Sequence, residues 1–231
     1  MHPLTRLRTT ARILRPVAGA TANARDAVQK NTDERGRRRA CALQQAHALG
    51  PTAWTALEPD AAGPGHAVDL YRDDAGLLTR LTAYVADGLA RGETCLVVAT
   101  GPHLAGLQAR LRLVGLDPPH PGRLLTLDAE EVLGRLLRED WPDPGLFDLA
   151  VAEVVRAAGA PLRAFGETVG LLQARGLNAA AHQLDKLWDT LQRSLGFPLV
   201  CACPLVGEPG QDAELTARVS SWHSHRVAAV G

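Results

Sequence analysis

The chain has 231 residues, 46% of them apolar, enough to fill the core of one large domain or two small ones. Twenty-five Lys and Arg balance 25 Asp and Glu, which removes any whole-chain argument for nucleic acid, an anionic membrane or a strongly acidic partner. The balance is uneven, because residues 1–65 carry 10 basic and 5 acidic side chains and the remainder 15 and 20.

Lysine occurs only at Lys30 and Lys186, neither of them after a glycine. A Walker A loop ends in Gly-Lys-Ser/Thr so that its lysine can reach the terminal phosphates, and a standard P-loop nucleotide hydrolase is therefore excluded. The four cysteines, Cys41, Cys95, Cys201 and Cys203, show no zinc-ribbon spacing. In a chain of this length without a secretory stretch they do not suggest a disulfide scaffold either. Apolar runs stop far short of the ~18 to 20 residues that cross a bilayer, so a cytoplasmic location and no membrane partner are expected.

Residues 1–65 read as a basic, mostly disordered leader and linker. Leu4, Leu7 and Leu14 among arginines allow a turn or two of amphipathic helix. The stretch 32–49, with Arg35, Arg37, Arg38 and Arg39, allows one more before Gly50-Pro51. One helix buries too little to stand alone. Pro59, Gly63, Pro64 and Gly65 mark the domain boundary.

From His66 the pattern changes to short apolar runs alternating with amphipathic stretches. The first strand is predicted over 67–71. A helix over 75–90 follows, capped by Asp73 or Asp74, with Leu77, Leu78, Leu81, Tyr84, Val85 and Leu89 at helical spacing and Gly92 at its end. The nearly continuous apolar run 94–99 fits a strand covered on both faces, and the next helix carries Leu104, Leu107, Leu111 and Val114. After a proline-rich loop over 115–122 come a strand over 124–127 and a helix over 129–138 capped by Asp128. Another helix is predicted over 145–158, a strand over 162–165 and helices over 168–174 and 178–193. In the last of these Ala181, Leu184, Leu187, Trp188 and Leu191 form the apolar side, and Asp185, Lys186 and Asp189 are expected to point elsewhere. A fifth strand over 199–203 and a helix over 212–223 complete the domain, which spans 66–227 and leaves a tail at 228–231. Five strands, each leading to a helix, define an α/β fold with an open, doubly wound parallel sheet.

Such a sheet binds ligands beyond the carboxyl ends of its strands, near a change in strand order. That rule selects Tyr71, Arg72 and Asp73 after the first strand, Thr100 and His103 after the second, Asp128 after the third, Glu167 after the fourth and Cys203 after the fifth. Glu167 follows Gly166, where a carboxylate is shielded enough to move a proton or to bind a hydrogen-bond donor. Its bland role is a helix cap, which for Asp128 is a full explanation. Cys201 and Cys203 face the same side of their strand, and with His223 and His225 they resemble a sparse soft-metal set. A Cys-Ala-Cys strand suits a tight core equally well, and no metal site is assigned. With no G-x-S-x-G, H-E-x-x-H or G-x-G-x-x-G pattern no catalytic residue is assigned. The few aromatics argue against an RNA-binding surface.

Three blocks carry a family resemblance. His66-Ala67-Val68-Asp69-Leu70-Tyr71, with Gly88-Leu89-Ala90-Arg91-Gly92-Glu93 leading into Cys95-Leu96-Val97-Val98-Ala99, resembles the opening of the MEDS domain, the sensory domain named after methanogens, methylotrophs and the dichloromethane-responsive repressor. Arg163-Ala164-Phe165-Gly166-Glu167-Thr168-Val169 and Leu184-Asp185-Lys186-Leu187-Trp188-Asp189 are similar to its strand, Gly-Glu pair and Leu-x-x-Leu-Trp helix. Cys201-Ala202-Cys203-Pro204 and His223-Ser224-His225 match its closing patterns, with Cys203 where the family has tyrosine.

The resemblance covers about residues 66–227. It implies a three-layer parallel-sheet domain of the RecA/P-loop-like kind lacking the Walker A loop. It also implies a role in sensing small hydrocarbon derivatives or related signals for helix-turn-helix, histidine kinase or anti-sigma modules. No helix-turn-helix pattern precedes residue 66 and no kinase follows His225, so a regulatory protein partner is expected to carry the output. The reading is thus a non-catalytic small-ligand sensing domain in signal transduction or transcriptional regulation, not an enzyme, with no cofactor identified and no direct nucleic-acid binding expected. The alternatives are a nucleotide-dependent enzyme using Glu167 without a P-loop, and a DNA-binding regulator acting through the basic leader. The expected ligand site is Tyr71, Arg72, Thr100, Glu167, Trp188 and Cys203, with His223 and His225 folding over the same edge. Two residues apart on a helix, only one of those histidines could face the ligand.

Overall fold

The structure, a computed structural model, describes residues 65–116 and 123–227, without the side chain of His225. The leader, its helix at 32–49, the linker, most of the 115–122 loop and the tail lie outside the described residues.

Strand β1 (His66–Tyr71) leads into α1 (Asp74–Arg91), whose cap Asp73 accepts a 2.7 Å hydrogen bond from the Gly76 amide and whose exit is Gly92 in the left-handed conformation. β2 (Thr94–Ala99), α2 (Gly101–Leu113), β3 (Leu124–Asp128) and α3 (Ala129–Leu136) follow. The helix expected to reach residue 138 stops at Leu136. The chain then forms a hairpin of β4 (Leu137–Arg138) and β5 (Trp141–Pro142), whose turn residues Glu139 and Asp140 both have positive φ, 49° and 62°, the geometry that turns a strand back on itself in two residues. A helical run of α4 (Pro144–Phe147), a wide π turn (Asp148–Ala152) and α5 (Glu153–Ala158) precedes β6 (Leu162–Gly166). Next come α6 (Thr168–Ala174), α7 (Asn178–Leu195), β7 (Leu199–Pro204) and α8 (Pro209–Ser220).

The main sheet has six strands rather than the expected five, in the order β3-β2-β6-β7-β1-β8, where β8 (His225–Arg226) is a short parallel edge. The last helix ends at Ser220, so His223 and His225 are not on it. β8 has no periodicity of its own to read. It is held by backbone bonds to β1, from Ser224 N–H to the His66 carbonyl and from Val227 N–H to the Val68 carbonyl.

Alternate strand residues feed two cores, as the pleat requires. Ala67, Val97, Ala99, Phe165 and Val200 pack under α1 and α2, while Val68, Leu96, Val98, Ala164, Leu199 and Cys201 pack under α3 to α8. The result is three layers, helices on both faces of a parallel sheet. β2 and β6 are neighbours, yet the chain leaves β2 for α2 on one face and leaves β6 for α6 on the other. A crevice opens at the carboxyl ends of such a pair.

Candidate functional site

Thr100 and Glu167 are the residues that leave those two strands, and the crevice joins them. Glu167 is 2% exposed. Its Oε2 accepts a 2.9 Å bond from the Thr100 amide and its Oε1 a 2.7 Å bond from Nδ1–H of His103. Although Glu167 occupies the position before α6, its side chain makes no bond to that helix. Helix capping therefore does not explain the residue.

His103 carries the network outward. Its Nε2 stands 3.3 Å from Asp74, an exposed residue, and its ring meets Tyr71 edge-on at 6.1 Å. The hydrogen bond to Glu167 raises the imidazole's pKa against the opposing effect of burial. Burial first, then the carboxylates of Glu167 and Asp74, push the Tyr71 phenol well up, so it stays a neutral donor.

The N-termini of α1, α2 and α3 at this edge share a feature. An N-terminus offers free amides and a positive dipole end, the usual seat of a phosphate. Here carboxylates of the chain take those amides. Asp73 binds Gly76 N–H, Glu167 binds Thr100 N–H, and Asp128 binds the amides of Glu130 and Glu131 at 2.9 and 3.1 Å. The edge presents acceptors and negative charge.

The other expected site residues divide. Cys203 and Trp188 lie in the core beneath this edge, fully or almost fully buried; Trp188 Nε1–H donates to Thr168 Oγ1 at 3.3 Å, and burial holds the Cys203 thiol well above its ordinary pKa. Arg72 reaches away to the buried Asp212 at 2.6 Å. His223 does not fold over the edge. It sits beside His66 at the start of β1, five residues upstream of Tyr71, on the order of 16 Å along a strand. His225 contributes its backbone to β8.

A second polar cluster forms around that start. His66, Asp185, Cys201 and His223 each place one ligand-type atom within 4.8 Å of the others. Burial, and next the neighbouring His223, lower His66 to about 4. Asp185 was expected on the outer side of α7 and is instead 2% exposed against this cluster. Its spacing from Ala181 and Trp188, four and three residues, places it on their stripe. Cys203, two residues beyond Cys201, is not part of the group.

A cavity of about 340 Å³ lies at the opposite ends of the strands, lined by Val155, Leu162, Leu195 and Phe197 with Glu93 and Arg156 among its polar residues.

A doubly wound, three-layer α/β domain with a cluster of carboxylates at the carboxyl ends of its strands is the class that fold and site define. Residues 65–218 match the family described as MEDS, the methanogen/methylotroph, DcmR sensory domain, and the chain belongs to that family. No curated protein and no solved structure matches it. No helix among the described residues is long and apolar enough to cross a membrane.

Proposed function

We propose that the domain is a non-catalytic sensor whose crevice between β2 and β6 binds a small organic molecule that donates hydrogen bonds, and that a regulatory protein partner carries the signal, as in transcriptional control. The observation that carries this reading is the carboxylate seated at the N-termini of α1, α2 and α3 along this edge. Phosphates and carboxylates meet like charge there, whereas alcohols, amines and similar donors meet acceptors. A binding role also suits the chemistry of the described side chains. Thiols that could serve as nucleophiles, Cys95 and Cys203, are buried with pKa values pushed up, to about 12 for Cys95.

The test is titration of the full chain with a panel of small alcohols and primary amines, with inorganic phosphate and ATP as anionic controls. Donors should bind, and Glu167→Gln, which keeps size and removes charge, should weaken them by roughly 1.5 to 3 kcal/mol with the fold intact. The apolar cavity at the other strand ends favours a second location for the ligand. Ala160→Trp at its lining would then block binding while Glu167→Gln left it untouched, and that outcome would remove the crevice as the site.

A further inference from the structure

The geometry points to a tetrahedral zinc site formed by His66 Nε2, Asp185 Oδ1, Cys201 Sγ and His223 Nε2. Zinc takes about 2.0 to 2.1 Å to nitrogen or oxygen and about 2.3 Å to sulfur, so neighbouring ligands of a tetrahedral ion lie roughly 3.3 to 3.6 Å apart. The separations here are 3.2 Å from His66 Nε2 to Cys201 Sγ, 3.6 Å from His66 Nε2 to Asp185 Oδ1, and 3.2 Å from His223 Nε2 to Asp185 Oδ1. These three of the six edges lie within about 0.4 Å of the zinc values, and the other three are no longer than 4.8 Å.

Unmet hydrogen bonds point to the same place. His223 Nε2 and Asp185 Oδ1 approach to 3.2 Å, yet neither has a hydrogen-bond partner although both are buried. Both atoms are thus left with unmet bonding capacity inside the cluster. An unpartnered buried carboxylate oxygen is costly, and a cation between the four groups removes the cost. One thiolate and one carboxylate neutralise the two charges of the ion, and the thiol proton leaves to solvent on binding.

The outer contacts are those that hold ligating histidines. His223 Nδ1–H donates to the Val219 carbonyl at 2.8 Å, which fixes the tautomer with the Nε2 lone pair facing the cluster. The Asp189 carboxylate stands 3.6 Å from the far nitrogen of His66, placed to orient that ring in turn. The ligands come from β1, α7, β7 and the segment after α8, so the ion would tie the last part of the domain to the sheet.

The experiment uses the full chain, stripped of metal and titrated with Zn²⁺ and with Co²⁺ as a spectroscopic substitute. One equivalent should bind, with ligand-field bands of tetrahedral intensity and a thiolate-to-cobalt charge-transfer band. Cys201→Ser should abolish that band, Cys203→Ser should keep it, and Asp189→Asn should weaken Zn²⁺ binding about 10- to 100-fold by loosening a ligand's orientation. Asp185→Asn, nearly isosteric, should weaken it at least as much. Because the cobalt spectrum of the unaltered chain is informative by itself, variants that fail to fold leave the proposal open to refutation. Absence of stoichiometric binding, an octahedral cobalt spectrum, or a charge-transfer band that follows Cys203 would overturn it.

Discussion

Glu167 and His103, 64 residues apart in the chain, share a 2.7 Å hydrogen bond that ties the first turn of α2 to the start of α6. The bond raises the pKa of His103, and the groups facing its ring are Glu167, Asp74 and Tyr71. A histidine whose folded pKa exceeds its unfolded value of 6.5 binds a proton more tightly when folded. Its contribution to stability is therefore complete below pH 6.5 and is lost as pH rises through the raised folded value. Melting temperature measured across that window should fall more in the parent chain than in His103→Asn. Parallel curves for the two proteins would remove His103 from the network.

The five long strands are the legible part of this sequence. Runs such as 94–99 and 199–203 announce covered parallel strands, and Gly166-Glu167 at a strand end marks the edge where Glu167 lies. What was hidden depended on partners far apart in the chain. Glu167 reads equally as a cap or a site carboxylate until the fold brings His103 and the Thr100 amide to it. Asp185 reads as an outward charge although its helical spacing from Ala181 and Trp188 already put it inward. His66 carries no local signal, because only its pairing opposite Leu199 and the return of the chain at Ser224 bring it near Cys201 and His223.

The ion pair of Asp69 and Arg80 gives a second prediction. Two parallel bonds of 2.8 and 2.9 Å hold the guanidinium of α1 against β1, with Asp69 1% exposed. Burial raises the carboxyl pKa and the guanidinium opposes it, so the pair offsets a desolvation cost. Removing one partner leaves the other charge buried and alone. Asp69→Ala should cost about 3 to 5 kcal/mol in denaturant unfolding, and Arg80→Ala added to it should cost clearly less than the sum of the single changes. Additive costs would show that the two residues act independently.

Nucleotide chemistry should be absent. The only lysine among the described residues, Lys186, lies on α7, and amides at the starts of α1, α2 and α3 are held by Asp73, Glu167 and Asp128. Stabilising a transferring phosphoryl group requires positive donors where this edge offers acceptors. Purified protein incubated with ATP or GTP and Mg²⁺ should release phosphate no faster than buffer. Turnover that disappears in Glu167→Gln would establish the enzymatic alternative in place of a sensor.

A close approach between α6 and β7 sets the last prediction. A methyl group on Gly170 of α6 would stand 2.3 Å from the Ala202 carbonyl oxygen and 2.9 Å from the Cys203 Cα, both backbone atoms of a buried strand. Neither can rotate away as a side-chain tip could, so α6 would have to lift from β7. α6 begins one residue after Glu167, and a lift would also loosen the bonds from Thr100 and His103. Overpacking of this kind costs about 1 to 3 kcal/mol, and more where backbone must move. At about 2 to 4 °C per kcal/mol for a domain near this size, Gly170→Ala should lower the melting temperature by at least a few degrees. Gly134 in α3 is the control, because a methyl group there meets nothing within 4 Å. In a helix interior the same substitution at Gly134 should raise stability by about 0.4 to 1 kcal/mol, through the narrower unfolded ensemble and better helix propensity. The comparison turns on sign, and a neutral or stabilising Gly170→Ala would mean that α6 does not seat on β7 as closely as the structure places it.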